Sequence, residues 1–384
     1  IMGTAKLKYE ATSFLNCMFR ASIDANNNQD VTINDPTDPT GTIGGKYGNG
    51  LTKDVANNYD WLATLHKEDI GKSDISAKFS VGGTAYQRSS YGISATNSST
   101  YAVPYLTYFG NYTGTPQTGA VPSETWFDKK LNSLYGFLNL SYKDYLYFDV
   151  TARNDWSSTL PKSQWSYFFP SVSLSYVFSD ALKIDPSILS FGKIRAAWAE
   201  GAVDVDPYII NTIYNTGSFA GAPTSSLPGF VPAVNFKPQV NKTLDFGMTL
   251  GFLKNRINFD FRYYHGRATN QLLHSPLPVT SGLTSIVVNT GVLENSGIEM
   301  ILRARIVDQP VFKWDASINM SQNYNRLISL SPGATRVDMN NIWGGSGTYI
   351  SAVVGQEFGS ILGYDYVYDL KTHKPLLHDQ EKIM

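Results

Sequence analysis

Apolar and polar residues alternate along most of this chain, most clearly over residues 298–323. Apolar side chains take every second position from Ile298 to Ile306, with charged residues between many of them, which is the period-two pattern of a β-strand. A break at residues 308–310 follows, and alternation then resumes from Trp314 to Met320. The pattern predicts a hairpin with one apolar and one polar face. Each arm has about ten residues, close to the ~9–11 that a tilted strand needs to cross a bilayer.

A turn centred on Gln309 sets the pairing expected in this hairpin. It places Leu302 opposite Ala316, Arg303 opposite Asp315, and Met300 opposite Ile318. Cross-strand pairs of this kind stabilise a sheet and specify its register. The hairpin alone leaves open whether its apolar face meets a protein core or lipid.

About twelve segments of the chain carry the same alternation. Besides the two arms of the hairpin they are residues 3–9, 14–24, 59–66, 73–87, 130–141, 146–153, 169–178, 190–200, 242–252 and 257–263. The residues between them lack helical periodicity, and at most one helical turn is expected at residues 180–187. The chain is therefore predicted to be all-β.

The connections between these segments alternate in length. Long ones are expected at residues 25–58, 88–129, 201–241 and 266–285, and short ones at 10–13, 67–72, 143–144, 253–256 and 308–310. A medium loop is expected at 154–168 and a shorter one at 179–189. In an up-and-down meander, every other connection lies at the same end of the sheet. Tight turns at one end and long loops at the other are typical of outer-membrane barrels, whereas Greek-key sandwiches show no such alternation.

The composition is consistent with this interpretation and excludes several classes of protein. Of the 384 residues 16% are charged, below the ~25% of a typical soluble domain, and 13% are aromatic. The net charge of −1 provides no basic surface for nucleic acid. The single cysteine, Cys17, excludes an intramolecular disulfide framework, and no apolar run reaches the length of a transmembrane helix. The chain opens on Ile1 and ends at Met384 without a signal segment, so we expect a fragment truncated at both ends.

Six stretches of the chain resemble the SusC/RagA family of TonB-dependent outer-membrane transporters. In order, they are YLYFDVTARNDWSS (145–158), WSYFFPSVSLSYVFSDAL (165–182), GKIRAAWAEGA (192–202), NKTLDFGMTLGFLKNRINFDFRYYHGRATNQLL (241–273), PLPVTSGLTSIVVNTGVLENSGIEMIL (276–302) and FKWDASINMSQNYNRLISL (312–330). Several motifs in the same order are a much more specific signal than any one of them.

The resemblance implies part of a large antiparallel up-and-down transmembrane β-barrel, with 22 strands in the full protein and about twelve here. Residues 1–384 are then a partial TonB-dependent receptor barrel domain, and the plug domain and the TonB-contacting segment lie outside this chain. Such transporters work with a SusD-like surface lipoprotein as a lid and import glycans or peptides with energy delivered through TonB. No cofactor and no enzymatic activity are expected. The alternatives are a secreted or surface carbohydrate-binding β-sandwich and a passive porin.

Two groups of residues are candidates for binding substrate or partner. Arg153, Asp155 and Trp156 leave a strand toward a loop, where the charged pair could contact substrate and the indole could stack on a sugar ring. The alternative is an Arg–Asp pair that orders the base of the loop. The second group lies at the predicted long-loop end, where aromatic residues suit a ligand or a lid but also pack among themselves; it comprises Trp126, Trp165, Tyr208, Tyr214 and Trp343.

Catalytic and metal sites are not supported by the sequence. The glycine-rich residues 344–348 lack the Lys-Ser/Thr of a phosphate-binding loop. His373 and His378 lack further spaced ligands, and the acidic residues 24–38 lack the closing Glu of a calcium loop. No set of nucleophile, base and acid has a convincing spacing, so catalytic and metal-ligating residues are both predicted to be absent.

Overall fold

A computed structural model describes most of the chain, which divides into two compact units. The first unit comprises residues 1–175 with 204–210, and the second comprises 176–203 with 211–384. The structure describes residues 1–35, 37, 45–97, 101–111, 120–211, 214–219, 222–226, 229–232, 236–276, 279–283, 285–331, 333–341, 347–365, 368, 371, 377–378 and 382–383.

Seven strands follow one another in space in the order of the chain in the first unit. They are β1 (Met2–Thr12), β2 (Leu15–Asn34), β3 (Lys46–Lys67), β4 (Ile75–Asn97), β5 (Ala120–Tyr142), β6 (Leu146–Ser157) and β7 (Ser166–Val177), whose last two residues are assigned to the second unit. The pairs from β1 through β6 are antiparallel, so this unit is the up-and-down meander that the sequence predicts. A 3-10 turn, Ile70–Lys72, lies between β3 and β4.

The β5–β6 connection shows how the tight turns close. Lys143 and Asp144 both have positive φ, at 48° and 56°. Positive φ at both central residues defines the type I′ turn, whose twist matches that of antiparallel strands. This connection was predicted as short, and it is. We call the end of the sheet at which such tight turns join the strands the turn end. The opposite end of the sheet is called the loop end.

Among its described residues, the second unit contains one short helix and the remaining strands. They are α1 (Phe178–Ala181), β8 (Leu189–Val203), β9 (Asn215–Phe219), β10 (Ala222–Ser226), β11 (Phe230–Pro232), β12 (Gln239–Phe252), β13 (Ile257–Pro276), β14 (Ser285–Asp308), β15 (Lys313–Ser329), β16 (Arg336–Asn341), β17 (Tyr349–Val353), β18 (Ser360–Leu362), β19 (Leu377–His378) and β20 (Lys382–Ile383). A 3-10 turn also occurs at Val279–Ser281. The long strands pair in the order β8–β12–β13–β14–β15, and β11 pairs parallel with β14.

The number of long strands agrees with the sequence prediction, but their lengths do not. β1–β8 and β12–β15 correspond to the twelve expected segments. Several extend far into regions predicted as long loops: β2 has 20 residues, β3 has 22, and β4 and β5 have 23 each. The predicted loops at residues 25–58, 88–129 and 266–285 were therefore too long. Where both faces of a strand meet water, the sequence need not alternate, so periodicity misses that part of the strand.

The hairpin of β14 and β15 forms with a register two residues away from the prediction. Met300 lies opposite Met320, Leu302 opposite Ile318, and Ala304 opposite Ala316. The turn spans residues 309–312, where the Gln309 N–H donates to the Phe312 carbonyl at 3.0 Å, and a bulge lies between Arg305 and Val307. A shift of two residues keeps every side chain on its predicted face, so the face assignment is unaffected.

The apolar face of the sheets is largely uncovered. On β14 and β15, Ile318 is 66% exposed and Met320 is 48% exposed, and on β3 Trp61 is 45% exposed. In the described part of the chain, the buried clusters are small, such as Leu327 and Leu330 with Ala352 in the second unit. Large apolar side chains left outside a core in this way require another apolar phase around them. Within the described residues, no helix is long and apolar enough to span a membrane.

Candidate functional site

The polar face of the first unit carries networks of charged side chains centred on buried carboxylates. Asp60 on β3 is 4% exposed and accepts hydrogen bonds from Arg20 at 2.8 Å, Asn58 at 2.7 Å and Thr84 at 2.7 Å. These partners come from three neighbouring strands, so the network joins them across the sheet. A buried carboxylate with this many donors is satisfied, which makes it a wall element with little capacity left for a ligand.

Arg153 and Asp155, the first predicted pair, form a second network of this kind. The Arg153 guanidinium donates to Asp155 at 2.7 Å and to Ser133 at 2.9 Å, and it lies over the rings of Tyr135 and Phe169 at 5.9 and 5.8 Å. Asp155 is 4% exposed. Both residues are thus engaged within the sheet, and this geometry favours the alternative in which they order the base of the loop.

Trp156 lies on the opposite face of β6 from Arg153 and Asp155. The β5–β6 register is regular from Leu131 through Tyr142, and successive residues of a strand point to opposite faces. Trp156 therefore shares its face with the apolar residues of β6, among them Phe148. The three residues that adjoin in sequence cannot act together as one sugar-binding site.

A cluster that the sequence analysis missed lies at the loop end of the first unit. The Asp204 side chain is 7% exposed and binds Lys129 on β5 through an ion pair of 2.5 Å. Its other oxygen accepts a hydrogen bond from the Ser157 hydroxyl at 2.5 Å, and Ser157 is paired with Thr159 at 2.9 Å. These contacts fasten the segment Asp204–Ile210 to β5 and β6.

Two of the predicted aromatic residues meet in the same region. The Trp126 and Tyr208 rings are stacked, with centroids 6.1 Å apart and planes 26° from parallel. The Tyr208 hydroxyl also accepts a hydrogen bond of 3.2 Å from the backbone N–H of Asp128. Trp126 nevertheless remains 62% exposed, so the pair presents an aromatic surface to solvent.

The remaining aromatic candidates are exposed side chains. Trp165 is 48% exposed in the first unit, where its carbonyl accepts a hydrogen bond of 2.9 Å from the Ser157 N–H, and Tyr214 is 59% exposed in the second unit. Trp343 lies outside the described residues. The structure thus unites Trp126 with Tyr208 and Arg153 with Asp155, and it turns Trp156 to the face opposite Arg153 and Asp155.

The polar face of the second unit carries the same kind of ion pairs. Arg262 on β13 is bonded to Asp245 on β12 and lies 3.3 Å from Glu299 on β14. Arg195 on β8 reaches Asp260 at 3.5 Å, crossing Gly247. A Cβ at Gly247 would clash with the Arg195 side chain, so the absence of a side chain there gives the guanidinium its path.

The charged pair predicted in the hairpin is also different in the structure. Arg303 was expected opposite Asp315, but it lies opposite Ser317. Arg305 instead faces Asp315, with an ion pair of 3.2 Å, and it also pairs with Asp308 at 3.3 Å. The two-residue change in register explains this correction. All three side chains are at least 40% exposed, so the pairs contribute little to stability.

A polar cavity of about 590 Å³ opens at the turn end of the first unit. Its lining includes Thr64, His66, Lys78, Asn139 and Asp149. Asp149 already accepts hydrogen bonds from Asn139 at 2.6 Å and from Ser173 at 3.1 Å. The cavity is lined mainly by polar residues, and this lining carries no recognisable set of catalytic groups.

Metal ligation finds no support among the described residues, which contain no group of three or more His, Cys, Asp or Glu side chains suited to an ion. Residues 24–34, within the stretch considered for calcium, belong to β2, where the Asn28 amide is hydrogen-bonded to Asp30 at 2.9 Å. His373 lies outside the described residues. The glycine-rich residues 344–346 are likewise outside them.

Comparison with known proteins places these features in a family. The family described as "TonB dependent receptor-like, beta-barrel" matches residues 4–375. The chain belongs to the TonB-dependent receptor β-barrel family. This family consists of outer-membrane proteins, so the barrel fold and the location expected from the sequence are both confirmed. The β-sandwich alternative disagrees with this family assignment.

Individual relatives narrow the comparison within TonB-dependent receptors. The chain is 29% identical over 285 residues to TonB-dependent receptor SusC of Bacteroides thetaiotaomicron, covering 69% of this chain and 28% of that protein. It is 29% identical over 257 residues to TonB-dependent receptor P3 of Formosa agariphila, covering 64% of this chain and 25% of that protein. The chain therefore spans about a quarter of the length of these relatives.

A solved structure of the RagAB peptide transporter has the same fold. It superposes with a TM-score of 0.78 at 17% sequence identity, over 92% of this chain and 39% of that one. At this identity the likeness concerns the fold. Together with the SusC relative, it confirms the SusC/RagA resemblance of the sequence motifs.

Proposed function

We propose that this chain is part of the barrel of a SusC-like importer that carries a nutrient across the bacterial outer membrane. The nutrient is an oligosaccharide or a peptide. The partners of the complete protein are TonB, which supplies energy through a segment outside this chain, and a SusD-like lipoprotein, which closes the loop end as a lid. The chain itself performs no catalytic step.

The observation that carries this proposal is the contrast between the two faces of the long strands. One face keeps charged pairs such as Arg262–Asp245 and Arg20–Asp60, and the other leaves Ile318 and Trp61 uncovered. In a barrel, the first face lines an aqueous interior and the second meets lipid. A polar wall of this kind suits solutes that keep their hydrogen bonds during passage.

Both classes of nutrient have support. The RagAB structure is named as a peptide transporter, which favours peptides. The SusC/RagA resemblance of residues 145–330 implies glycans as well as peptides. The stacked Trp126–Tyr208 pair adds an aromatic surface at the loop end, where it could receive a sugar ring or a partner.

Uptake by cells that carry or lack the full-length gene tests the proposal. Labelled oligosaccharide and peptide mixtures should enter the parent strain and be lost with the gene, and each mixture identifies its own substrate class. Uptake should also stop when TonB is removed or the proton gradient is collapsed. Uptake that persists without TonB would instead identify a passive porin.

Cell fractionation provides a separate check on location. The full-length protein should be recovered with the outer membrane and should require detergent for extraction. Recovery in a soluble fraction without detergent would contradict the barrel assignment and support a secreted protein.

A further inference from the structure

The loop-end part of β5, residues 120–130, has an open edge. β6 pairs only with residues 131–142 of β5, whereas β4 pairs with β5 along its entire length to Ala120. Residues 120–130 therefore have a neighbouring strand on one side only. Pro122 through Trp126 are exposed, so nothing in the described part of the chain shields this edge.

The direction of the free backbone groups follows from the contacts beside them. Lys130 exchanges hydrogen bonds with Ser158 on the β6 side, at 2.9 and 3.0 Å, and the N–H of Asp128 reaches the Tyr208 hydroxyl on that side. Because backbone groups alternate along a strand, Glu124 and Trp126 also direct their N–H and C=O groups toward the open side. Among the described residues, no hydrogen bond meets them there.

Pro122 is consistent with this geometry. Pro122 is separated from Glu124 and Trp126 by an even number of positions, so its backbone nitrogen also points to the open side. The missing N–H of proline therefore removes no hydrogen bond to β4. Proline in a sheet is confined to such edge positions. At Asp128, the Tyr208 hydroxyl accepts the hydrogen bond from the backbone N–H that a neighbouring strand would otherwise accept.

The side chains along this edge have a distinct charge pattern. Glu124, Trp126 and Asp128 share one face of the strand, so one carboxylate lies on each side of an exposed indole. Glu124 accepts a hydrogen bond of 3.1 Å from the Tyr91 hydroxyl, and Asp128 accepts one from Ser89. Both carboxylates are thus held in place and available to a cation. An added strand complementary to this face carries basic, aromatic and basic side chains at alternate positions.

We propose that residues 122–128 form a docking edge for an extended basic segment of a partner protein, which adds to β5 as a further strand. Main-chain hydrogen bonds to Glu124 and Trp126 provide the affinity, and the acid–indole–acid face selects the segment, which is the general mode of strand addition. The selecting side chains lie on the face of β5 opposite to its polar face. A solute that moves along the polar face does not pass them, which favours a partner over an imported substrate. This proposal does not depend on the proposed import.

A fluorescent peptide of sequence TKTYTKT tests the docking edge against the full-length protein purified in detergent. The sequence reads the same in both directions, so either strand orientation presents its lysines and tyrosine on one face. Saturable binding is expected by fluorescence anisotropy, weakened by added salt. Absence of saturable binding would overturn the proposal.

Backbone methylation of the peptide distinguishes strand addition from simple charge attraction. In an antiparallel added strand whose tyrosine lies opposite Trp126, the N–H groups of the lysines and tyrosine face β5. N-methyl groups on these residues should then weaken binding at least about tenfold, and N-methyl groups on the central threonines should leave affinity within about twofold. In a parallel strand the threonine donors face β5, so the two effects are exchanged. Equal effects of the two sets would overturn the strand-addition geometry, and this comparison needs no variant protein.

Variants of Glu124 provide the matching test on the protein. Glu124→Pro removes an open-side N–H as Pro122 does and should weaken binding about tenfold. Glu124→Gln keeps the backbone and should reduce the salt dependence, because Asp128 is then the one carboxylate left on this face. Displacement of the probe by a neutral oligosaccharide would assign the edge to carbohydrate. A dimer abolished by Glu124→Pro would assign it to a second copy, and probe accumulation inside cells would assign it to substrate. Each of these three results would overturn the proposal.

Discussion

Single residues at the loop end show how a buried carboxylate can hold a loop segment on a sheet. Asp204 follows β8 in the sequence but binds Lys129 and Ser157, which are 75 and 47 residues away. Its burial means that the two bonds must be made together, because an unsatisfied buried charge is costly. The segment Asp204–Ile210 then carries Tyr208 to Trp126.

Asp204→Asn is expected to loosen this segment. The substitution leaves the Lys129 ammonium without its counter-charge and weakens the bond to Ser157, so the free energy of local opening should fall by about 1–3 kcal/mol. Hydrogen exchange of residues 204–210 and of the Asp128 amide, followed by mass spectrometry, measures this change. Asp206→Asn is the matched control, since Asp206 is exposed. Equal exchange in the two variants would contradict the role of Asp204.

The hairpin of β14 and β15 shows at the scale of an element what alternation determines. Its two faces are as the sequence predicts, and its register is not. Ile318 and Ser317 adjoin in β15 and point to opposite faces, and both are exposed. Substitutions at these two positions therefore compare the effect on stability of a side chain facing lipid with that of a side chain facing water in the same strand.

Ile318→Arg should destabilise the full-length protein in a bilayer, whereas Ser317→Arg should be tolerated. Arginine on the lipid face of a membrane β-strand costs up to about 2–4 kcal/mol near the midplane, and arginine on the interior face remains hydrated. Denaturant unfolding of protein in liposomes, read by tryptophan fluorescence, gives both free energies. Similar losses for the two variants would contradict the assignment of faces.

The small sheet of β16–β18 makes a prediction about pH. Hydrogen bonds from Ser351 at 2.6 Å and from Arg336 at 2.6 Å lower the pKa of Asp338 below its ordinary value of 3.8. A lowered pKa in the folded state stabilises the fold above pH 3.8, and this stability is lost as the pH falls through the lower folded-state value.

Amide exchange in β17 should therefore be constant around pH 5–7, after correction for intrinsic rates, and should accelerate below about pH 4. Asp338→Asn should remove this acid step while leaving Ser351 a hydrogen-bond acceptor. An acid step of the same size in the variant would show that another group controls the sheet.

At the scale of the whole molecule, the length of the strands indicates where the bilayer lies. Leu51 and Leu65 occupy the same face of β3, and both are about half exposed, at 50% and 44%. Leu65 follows Leu51 by 14 positions, which is a rise of about 46 Å along the strand, or about 33 Å along the membrane normal after a 45° tilt. The hydrocarbon core is ~30 Å thick, so the two side chains cannot both lie inside it.

Leu51→Cys should react with a membrane-impermeant thiol reagent in intact cells, whereas Leu65→Cys should not. Polar residues such as Asn57 separate Leu51 from the alternating apolar positions of residues 59–66, so Leu51 is expected above the lipid at the loop end. Cys17→Ser in both variants leaves one reactive thiol. Denatured samples should label equally, and equal labelling in intact cells would contradict this position of the bilayer.

Much of the fold is accessible from the sequence because alternation reports directly on the environment of a strand. The faces of β6, β12 and β15 follow from their period-two pattern, and the tight turn at Lys143 and Asp144 follows from its short polar break. The loop-end halves of β2–β5 carry no such pattern, since water meets them on both sides, and their strand pairing depends on the neighbouring strands.

The candidate site was less predictable, because its contacts join distant parts of the chain. Arg153 and Asp155 were recognised together, and Trp126 and Tyr208 were placed in one set, but Trp156 was grouped by adjacency although its strand turns it to the other face. Asp204 stands in a loop without a motif, and no local pattern reveals its bond to Lys129.

The sequence by itself determined that this protein is all-β, that its strands have one lipid-compatible and one polar face, and that its motifs resemble SusC/RagA transporters. Only the tertiary structure decided the hairpin register, the Asp204 contacts and the open edge of β5. The physical reason is that a period-two pattern is unchanged by a shift of two residues. Register, ion pairs and open edges depend on which strands meet and where pairing stops.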